Sequence, residues 1–198
     1  SLHRDELIEQ IWQSDVDAAQ LLWDAGRHVR RLLGERSWRQ RSGVYALHMV
    51  VQDDGQEFDR AAATALGSGP MMERLAAAEH ALDLAGTGGY LEWCDSLWVV
   101  TERARVTRQV AAVALEAAQL YEHLGRLQDA IVACRRAVAV DSFDEAPRLA
   151  LLRYLVALGN MSAAIHEYVS YRGLLSEELQ TEPSVELKTL AMNLGCGV

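Results

Sequence analysis

The second half of the sequence repeats itself at an interval of 34 residues, and this repeat most constrains the fold. Three identities recur at that interval: Leu124 and Leu158, Gly125 and Gly159, and Ala130 and Ala164. Glycine ends a helix without the strain of a Cβ atom, and a small alanine allows two helices to approach closely. The repeat therefore predicts two helix pairs, each with its glycine at the turn into the second helix.

An interval of this length with the pattern LGxxxxA is typical of tetratricopeptide repeats (TPRs). Two such repeats cannot bury their apolar faces alone. We therefore predict that helices within 71–122 and 183–194 stack on the two ends of the pair. The predicted domain covers residues 69–198 and is a TPR-like α-helical repeat domain.

The residues before this domain show a different pattern. Apolar residues at helical spacing predict one helix at 4–12 and a second from Asp17 to the glycine at position 34. After that glycine, loose alternation over 38–49 around Ser42 and Gly43 predicts a β-hairpin. Two helices and a hairpin indicate a partial, truncated winged helix-turn-helix over residues 1–51. The acidic, turn-forming stretch QDDGQEFD then indicates a linker over 52–68.

Six of the 19 basic residues lie between Arg27 and Arg41, against the single acid Glu35, in a chain of net charge −9. Guanidinium groups at this density suit phosphate binding, although a solvated helix face would have the same composition. Placement on a helix and its wing favours DNA. Arg27 is the candidate for a base contact because it lies mid-helix, and the phosphate candidates are Arg30, Arg31, Arg39 and Arg41, with His28 at the margin.

Four tryptophans, Trp12, Trp23, Trp38 and Trp98, have two possible uses, in the core or as binding platforms. We expect Trp12 and Trp98 to be core residues. Trp38 lies within the arginine-rich loop, where it either packs the wing or stacks on the DNA backbone; the sequence leaves both uses open.

The sequence gives little support for a metal site, a cofactor site or a catalytic site. Cys94, Cys134 and Cys196 match no metal spacing, and Cys134 is expected as a free thiol in a helical core. No histidines pair at metal-ligand spacing, and no nucleophile–base pair or cofactor motif is present. We therefore predict no metal, no cofactor and no enzymatic activity. No apolar run is long enough to cross a membrane, which predicts a cytoplasmic protein without membrane contact.

The order of these segments resembles bacterial regulators that carry the bacterial transcriptional activator domain (the AfsR/SARP-like type), in which an OmpR-type winged helix precedes TPR-like helices. RDELIEQIW resembles the helix before the family's recognition helix. The other segments that carry the resemblance are LLWDAGRHVRRLLGE (21–35, recognition helix), RSGVYAL (41–47, wing), Trp98 with Glu102 and Arg103, and LLSEELQTEPSVEL (174–187). The resemblance covers nearly all of residues 2–194 and implies a mainly α fold.

Two departures from the family pattern are visible. The family usually has further strands and a helix before this point, so the resemblance predicts either a fragment or a reduced DNA-binding half. The recognition helix commonly reads VHIxRLRR, whereas this chain has DAGRHVRR at 24–31. Asp24 repels phosphate, and Gly26 lowers helix stability by about 1 kcal/mol relative to alanine.

Two functions emerge as hypotheses. The first is a transcription regulator whose winged helix binds double-stranded DNA and whose repeat domain binds a protein partner, with homodimerisation as one form of that contact. The second is a TPR-like interaction module whose winged helix no longer binds DNA and only docks other domains. The arginine cluster favours the first, and Asp24 favours the second.

Overall fold

The structure, a computed structural model, describes residues 1–12, 17–48, 53–94 and 96–193. It divides into two compact units. The first unit is Ser1–Asp53 with Gly88–Arg105, and the second is Asp54–Thr87 with Val106–Val198. The interval between the first two predicted helices (13–16), the last residue of the predicted hairpin and Cys196 lie outside the described residues.

The first unit begins with two helices and a small sheet. Its elements are β1 (Leu2–His3), α1 (Arg4–Trp12), α2 (Ala18–Leu33), β2 (Trp38–Arg41) and β3 (Val44–Leu47). Strands β2 and β3 form an antiparallel hairpin, and β1 pairs with the other edge of β3. The predicted helices and hairpin are confirmed. Strand β1 was not predicted, because two residues are too few to show an alternating pattern.

The glycine at position 34 ends α2 as predicted. Its φ angle is +95°, which glycine adopts without strain. Its N–H donates to the carbonyl of Arg30 at 2.8 Å, so the last turn of α2 is closed before the chain enters the hairpin.

Arg103 organises the other segment of the first unit. Helix α5 (Leu97–His123) begins in this segment, and the Arg103 guanidinium donates to the carbonyls of Tyr90, Leu91 and Cys94 at 2.9, 2.6 and 2.9 Å. The expectation that Trp98 is a core residue is wrong, since it is 41% exposed. The first turn of α5 instead buries Val99, and neighbouring helical residues point in directions about 100° apart.

All the regular secondary structure in the described part of the second unit is helical. Besides the rest of α5, it contains α3 (Asp54–Ala65), α4 (Met71–Ala85), α6 (Leu127–Val140), α7 (Glu145–Ala157), α8 (Met161–Leu174), a π-helical turn (Leu175–Leu179) and α9 (Val185–Asn193). One hydrophobic core runs from Phe58 in α3 to Ala191 in α9. No helix in the described part of the chain is long and apolar enough to cross a membrane.

The two predicted repeats have the same backbone geometry. Gly125 and Gly159 both have positive φ angles, +70° and +74°. The next N–H in each repeat donates back five residues at 2.9 Å, from Arg126 to Tyr121 and from Asn160 to Leu155. This is the Schellman arrangement that terminates helices at glycine. Ala130 and Ala164 are fully buried, which a close approach of the helix pairs at these positions requires.

The linker predicted over 52–68 is corrected by helix α3. Its acidic residues Asp54 and Glu57 lie in the first turn, where negative charge stabilises the positive end of the helix dipole. Phe58, Ala62 and Ala65 are buried in the core of the second unit. A stretch that appeared acidic and turn-forming is therefore the start of an amphipathic helix.

Candidate nucleic-acid interface

The predicted DNA-binding residues lie on helix α2 and on the β2–β3 hairpin. The buried stripe of α2 consists of Ala18, Leu22 and Gly26. At about 100° per residue, Arg27 and Arg31 lie on the opposite side of the helix and are exposed, and Arg30 lies between the two sides and is half-buried. The helix therefore presents two exposed guanidinium groups opposite its packed face and a third, half-buried one at the margin.

Gly26 allows the hairpin to pack closely on α2. A Cβ atom at this position would lie 2.6 Å from Nε1 of Trp38, well inside the distance at which non-bonded heavy atoms make favourable contact. The glycine that lowers the helix propensity of α2 is therefore required by the contact between α2 and β2.

Trp38 is used in packing the wing. It is half-buried, with Gly26 against the indole on α2 and Tyr45 beside it on β3, where the ring centroids are 5.5 Å apart and tilted by 48°. Buried Ser37 also connects helix and hairpin, since its hydroxyl donates to the carbonyl of Gly34 at 2.6 Å. The wing is thus anchored to the end of α2 by an aromatic contact and a hydrogen bond.

Arg39 and Arg41 lie on the hairpin strand β2. Successive side chains of a strand point to opposite faces, so Arg39 points away from the face on which Trp38 packs against α2. Both arginines are exposed. They are the wing's contribution to the cationic surface.

The four arginines predicted to bind phosphate form no ion pair with another described residue. Within the residues that the structure describes, the guanidinium groups of Arg30, Arg31, Arg39 and Arg41 have no acidic partner. A phosphate oxygen would thus not have to displace a carboxylate in order to bind them. We call these four residues the phosphate set.

Arg27, the predicted base contact, differs from the phosphate set. Its guanidinium donates to the Asp24 carboxylate at 2.8 Å and lies over the Trp23 ring, 4.9 Å from the ring centroid. His28 also contacts this turn, with Nδ1 2.8 Å from the Asp24 carbonyl oxygen. From the sequence, Trp23 was only one of four tryptophans with two possible uses, and the Asp24–Arg27 pair was not predicted, although spacings of three and four residues on a helix are the signal for such contacts.

No other chemical site emerges from the described part of the chain. Its His, Cys, Asp and Glu residues include no group of three or more placed to hold a metal ion. Cys134 is a buried free thiol, as predicted, and burial raises its pKa to about 12. Because the thiolate is the reactive form, this residue is chemically inert at neutral pH.

Comparison with known proteins identifies the helical part of the chain. The family model described as "Bacterial transcriptional activator domain" matches residues 54–194, and the match begins where α3 begins. No curated protein sequence matches the chain.

A solved structure has the same fold. The structure of Mycobacterium tuberculosis EmbR in complex with a low-affinity phosphopeptide matches with a TM-score of 0.73 at 17% identity, over 98% of this chain and 54% of the EmbR chain. This chain thus spans about half the length of that protein. The likeness confirms the predicted mainly α fold, a winged helix-turn-helix with a hairpin wing followed by a TPR-like repeat domain. Since the family model covers more than half of the 198 residues, the chain belongs to the bacterial transcriptional activator domain family.

Proposed function

We propose that this chain is a transcription regulator that binds double-stranded DNA through α2 and the β2–β3 hairpin and binds protein through its repeat domain. Membership of the family supports the regulatory role. The observation that carries DNA binding is the phosphate set, four guanidinium groups without a described acidic partner on one helix and its wing.

The distribution of charge supports the same assignment. From residue 61 onward the chain has 17 acids against 11 bases. Negative charge there disfavours contact with the phosphate backbone, whereas the cluster between Arg27 and Arg41 attracts it. An acidic chain can therefore bind DNA through one basic surface.

A binding isotherm at several salt concentrations tests this function. If the four residues of the phosphate set each neutralise one phosphate, the slope of log affinity against log salt is about −3.6. Raising the salt from about 50 to 200 mM then weakens binding roughly 150-fold. A salt-independent affinity, or none for any duplex, would contradict the proposal.

Single substitutions in the phosphate set sharpen the test. Arg30→Ala, Arg31→Ala, Arg39→Ala and Arg41→Ala should each flatten the slope by up to about one unit for every duplex sequence alike. The control is Arg135→Ala on α6, which removes an exposed guanidinium outside the proposed DNA-binding surface that lies 3.8 Å from the Glu167 carboxylate. Equal effects at Arg135 and in the phosphate set would show that only net charge matters.

The repeat domain is the proposed site of protein contacts, including homodimerisation. It exposes large apolar side chains such as Met72, Val132, Val169 and Val185, and the core of a protein interface is more apolar than the rest of the surface. The phosphopeptide of the EmbR structure belongs to that protein and supports protein contact only in general. Sedimentation at several concentrations tests self-association, and a constant monomer mass would exclude the dimer.

A second candidate function is a winged helix that docks protein domains instead of DNA. Leu32, near the end of α2, is 75% exposed and Leu47 on β3 is 50% exposed, so this unit also presents apolar surface. The same isotherms decide between the two functions. Absence of salt-sensitive DNA affinity in the folded chain would support the docking module.

A further inference from the structure

We propose that Trp23, Asp24 and Arg27 form a base-reading unit on α2 that recognises a guanine and a nearby thymine in the major groove. This inference rests on the proposed DNA binding and specifies which bases are read and how. The phosphate set would then supply affinity, and the base-reading unit would supply sequence preference.

Arg27 is held in place before DNA arrives. Its guanidinium bonds Asp24 Oδ1 at 2.8 Å and lies over the indole of Trp23, and Gln20 Nε2 donates to Asp24 Oδ2 at 3.2 Å. A long side chain that is already ordered loses less conformational entropy when it binds. Asp24 therefore acts as a positioning residue for Arg27.

This arrangement reduces the repulsion that the Asp24 carboxylate would exert on DNA phosphate. An unpaired carboxylate on a DNA-facing helix would repel phosphate, as expected from the sequence. Here both carboxylate oxygens accept hydrogen bonds from side chains of the same helix, one of them cationic. The local charge is largely compensated, so the carboxylate can remain at the interface.

Arg27 has donors left for a base. A guanidinium carries five N–H groups in a planar fork, and the bond to Asp24 uses one nitrogen, Nη2. Its side chain is 61% exposed on the face of α2 opposite the buried stripe. Guanine presents O6 and N7 side by side in the major groove, and arginine is the side chain that most often binds this pair.

Trp23 provides an apolar surface beside Arg27. It is 57% exposed although it is the largest side chain on the helix, and the C5-methyl group of thymine is the apolar feature of the major groove. Four residues of helix span about 6 Å, which is one to two base-pair steps of DNA. The thymine should therefore lie one or two base pairs from the guanine.

The second unit contains a similar trio that serves as a matched control. Arg126 donates to Asp129 at 2.7 Å and lies 4.7 Å from the centroid of Tyr121. There the ring is half-buried and its hydroxyl donates to Glu79. The control trio has the same ion pair and cation–π contact but lies in the acidic part of the chain.

The test begins by selecting a preferred duplex from a pool with a randomised core, using the full chain. Each G·C pair of that duplex is then changed to A·T, and each thymine to uracil, which lacks only the methyl group. For one guanine the change should weaken binding roughly 5- to 150-fold, the range for a good bidentate contact. Uracil one or two pairs away should weaken it roughly fourfold, the equivalent of one buried methyl group.

Variants assign these effects to residues. Arg27→Ala should abolish the preference for that guanine, and Trp23→Ala or Trp23→Leu should abolish the preference for thymine over uracil. Asp24→Asn should reduce the guanine preference while leaving or raising affinity for unrelated duplexes, because it removes a negative charge. Arg126→Ala and Asp129→Asn should change neither preference, and far-UV circular dichroism confirms that each variant is folded.

The possible failures are distinguishable. If Arg27→Ala keeps the preference for every base, or if Asp24→Asn raises affinity for all duplexes with unchanged preference, the base-reading unit is overturned and DNA binding stands. If the unsubstituted chain has no salt-sensitive affinity for any duplex, the proposed function and this inference fail together.

Discussion

Contacts of single residues account for the places where α2 departs from the recognition-helix pattern of the family. Gly26 appears in the sequence as a loss of helix stability, and its use becomes visible only when Trp38, twelve positions away, packs against it. Asp24 likewise appears as an unfavourable charge until Gln20 and Arg27 are seen to bond it. In both cases a local contact compensates for a residue that seems unsuitable when taken alone.

Gly26→Ala should destabilise the first unit even though alanine is the better helix former. The added Cβ overlaps the Trp38 indole, and overpacking costs about 1–3 kcal/mol. The gain in helix propensity offsets up to about 1 kcal/mol, which leaves a net loss of up to about 2 kcal/mol. Because all five tryptophans belong to the first unit, urea unfolding followed by tryptophan fluorescence measures this unit.

Gly173→Ala in α8 is the matched control for this substitution. A Cβ atom there has no neighbour within 4 Å, so only the propensity gain remains and the stability of the second unit should rise. Stabilisation of the first unit by Gly26→Ala would contradict the close packing of Trp38 on α2.

The sequence predicted some helices and strands accurately and missed others. Helices α1 and α2 were predicted to within a residue or two from their apolar residues at helical spacing. Helix α3 was missed because the acids of its first turn resemble a solvated loop, and β1 was missed because it is only two residues long. The arginines of the site were predicted, whereas the geometry around Arg27 depends on side-chain contacts that composition does not show.

The stability of the two repeats should depend on the size of the side chains at Ala130 and Ala164. Ala130→Leu or Ala164→Leu should destabilise the second unit by about 1–3 kcal/mol, because both positions are fully buried and a larger side chain would overpack the core. Val132→Leu in the same helix as Ala130 is the control, since Val132 is 67% exposed and should tolerate the change. Urea unfolding followed by far-UV circular dichroism measures the difference, and neutral results at both alanines would rule out close packing there.

The basic cluster and the acidic excess of the molecule lie in different parts of the chain. The basic residues that we propose for DNA lie in the first unit, and the acidic excess lies in the helical part beyond residue 61. The chain folds this helical part around a core that includes α3. The family match also begins at residue 54. Comparing the thermal stability of chains that begin at different residues can therefore test where the helical domain starts.

We predict that residues 54–198 give a cooperative helical transition on heating and that residues 69–198 melt at a lower temperature with less helix. The shorter chain lacks α3, whose Phe58, Ala62 and Ala65 are buried in the core. In the full chain, Phe58→Ala should lower the free energy of unfolding by about 3–5 kcal/mol, the usual loss when a buried phenylalanine is truncated. Glu57→Ala removes a half-exposed contact with His80 and one favourable charge in the first turn of α3, and should lower the free energy of unfolding by about 1 kcal/mol or less. If the two truncated chains melt alike and Phe58→Ala is neutral, α3 adds nothing to the core and the linker interpretation of this segment is restored.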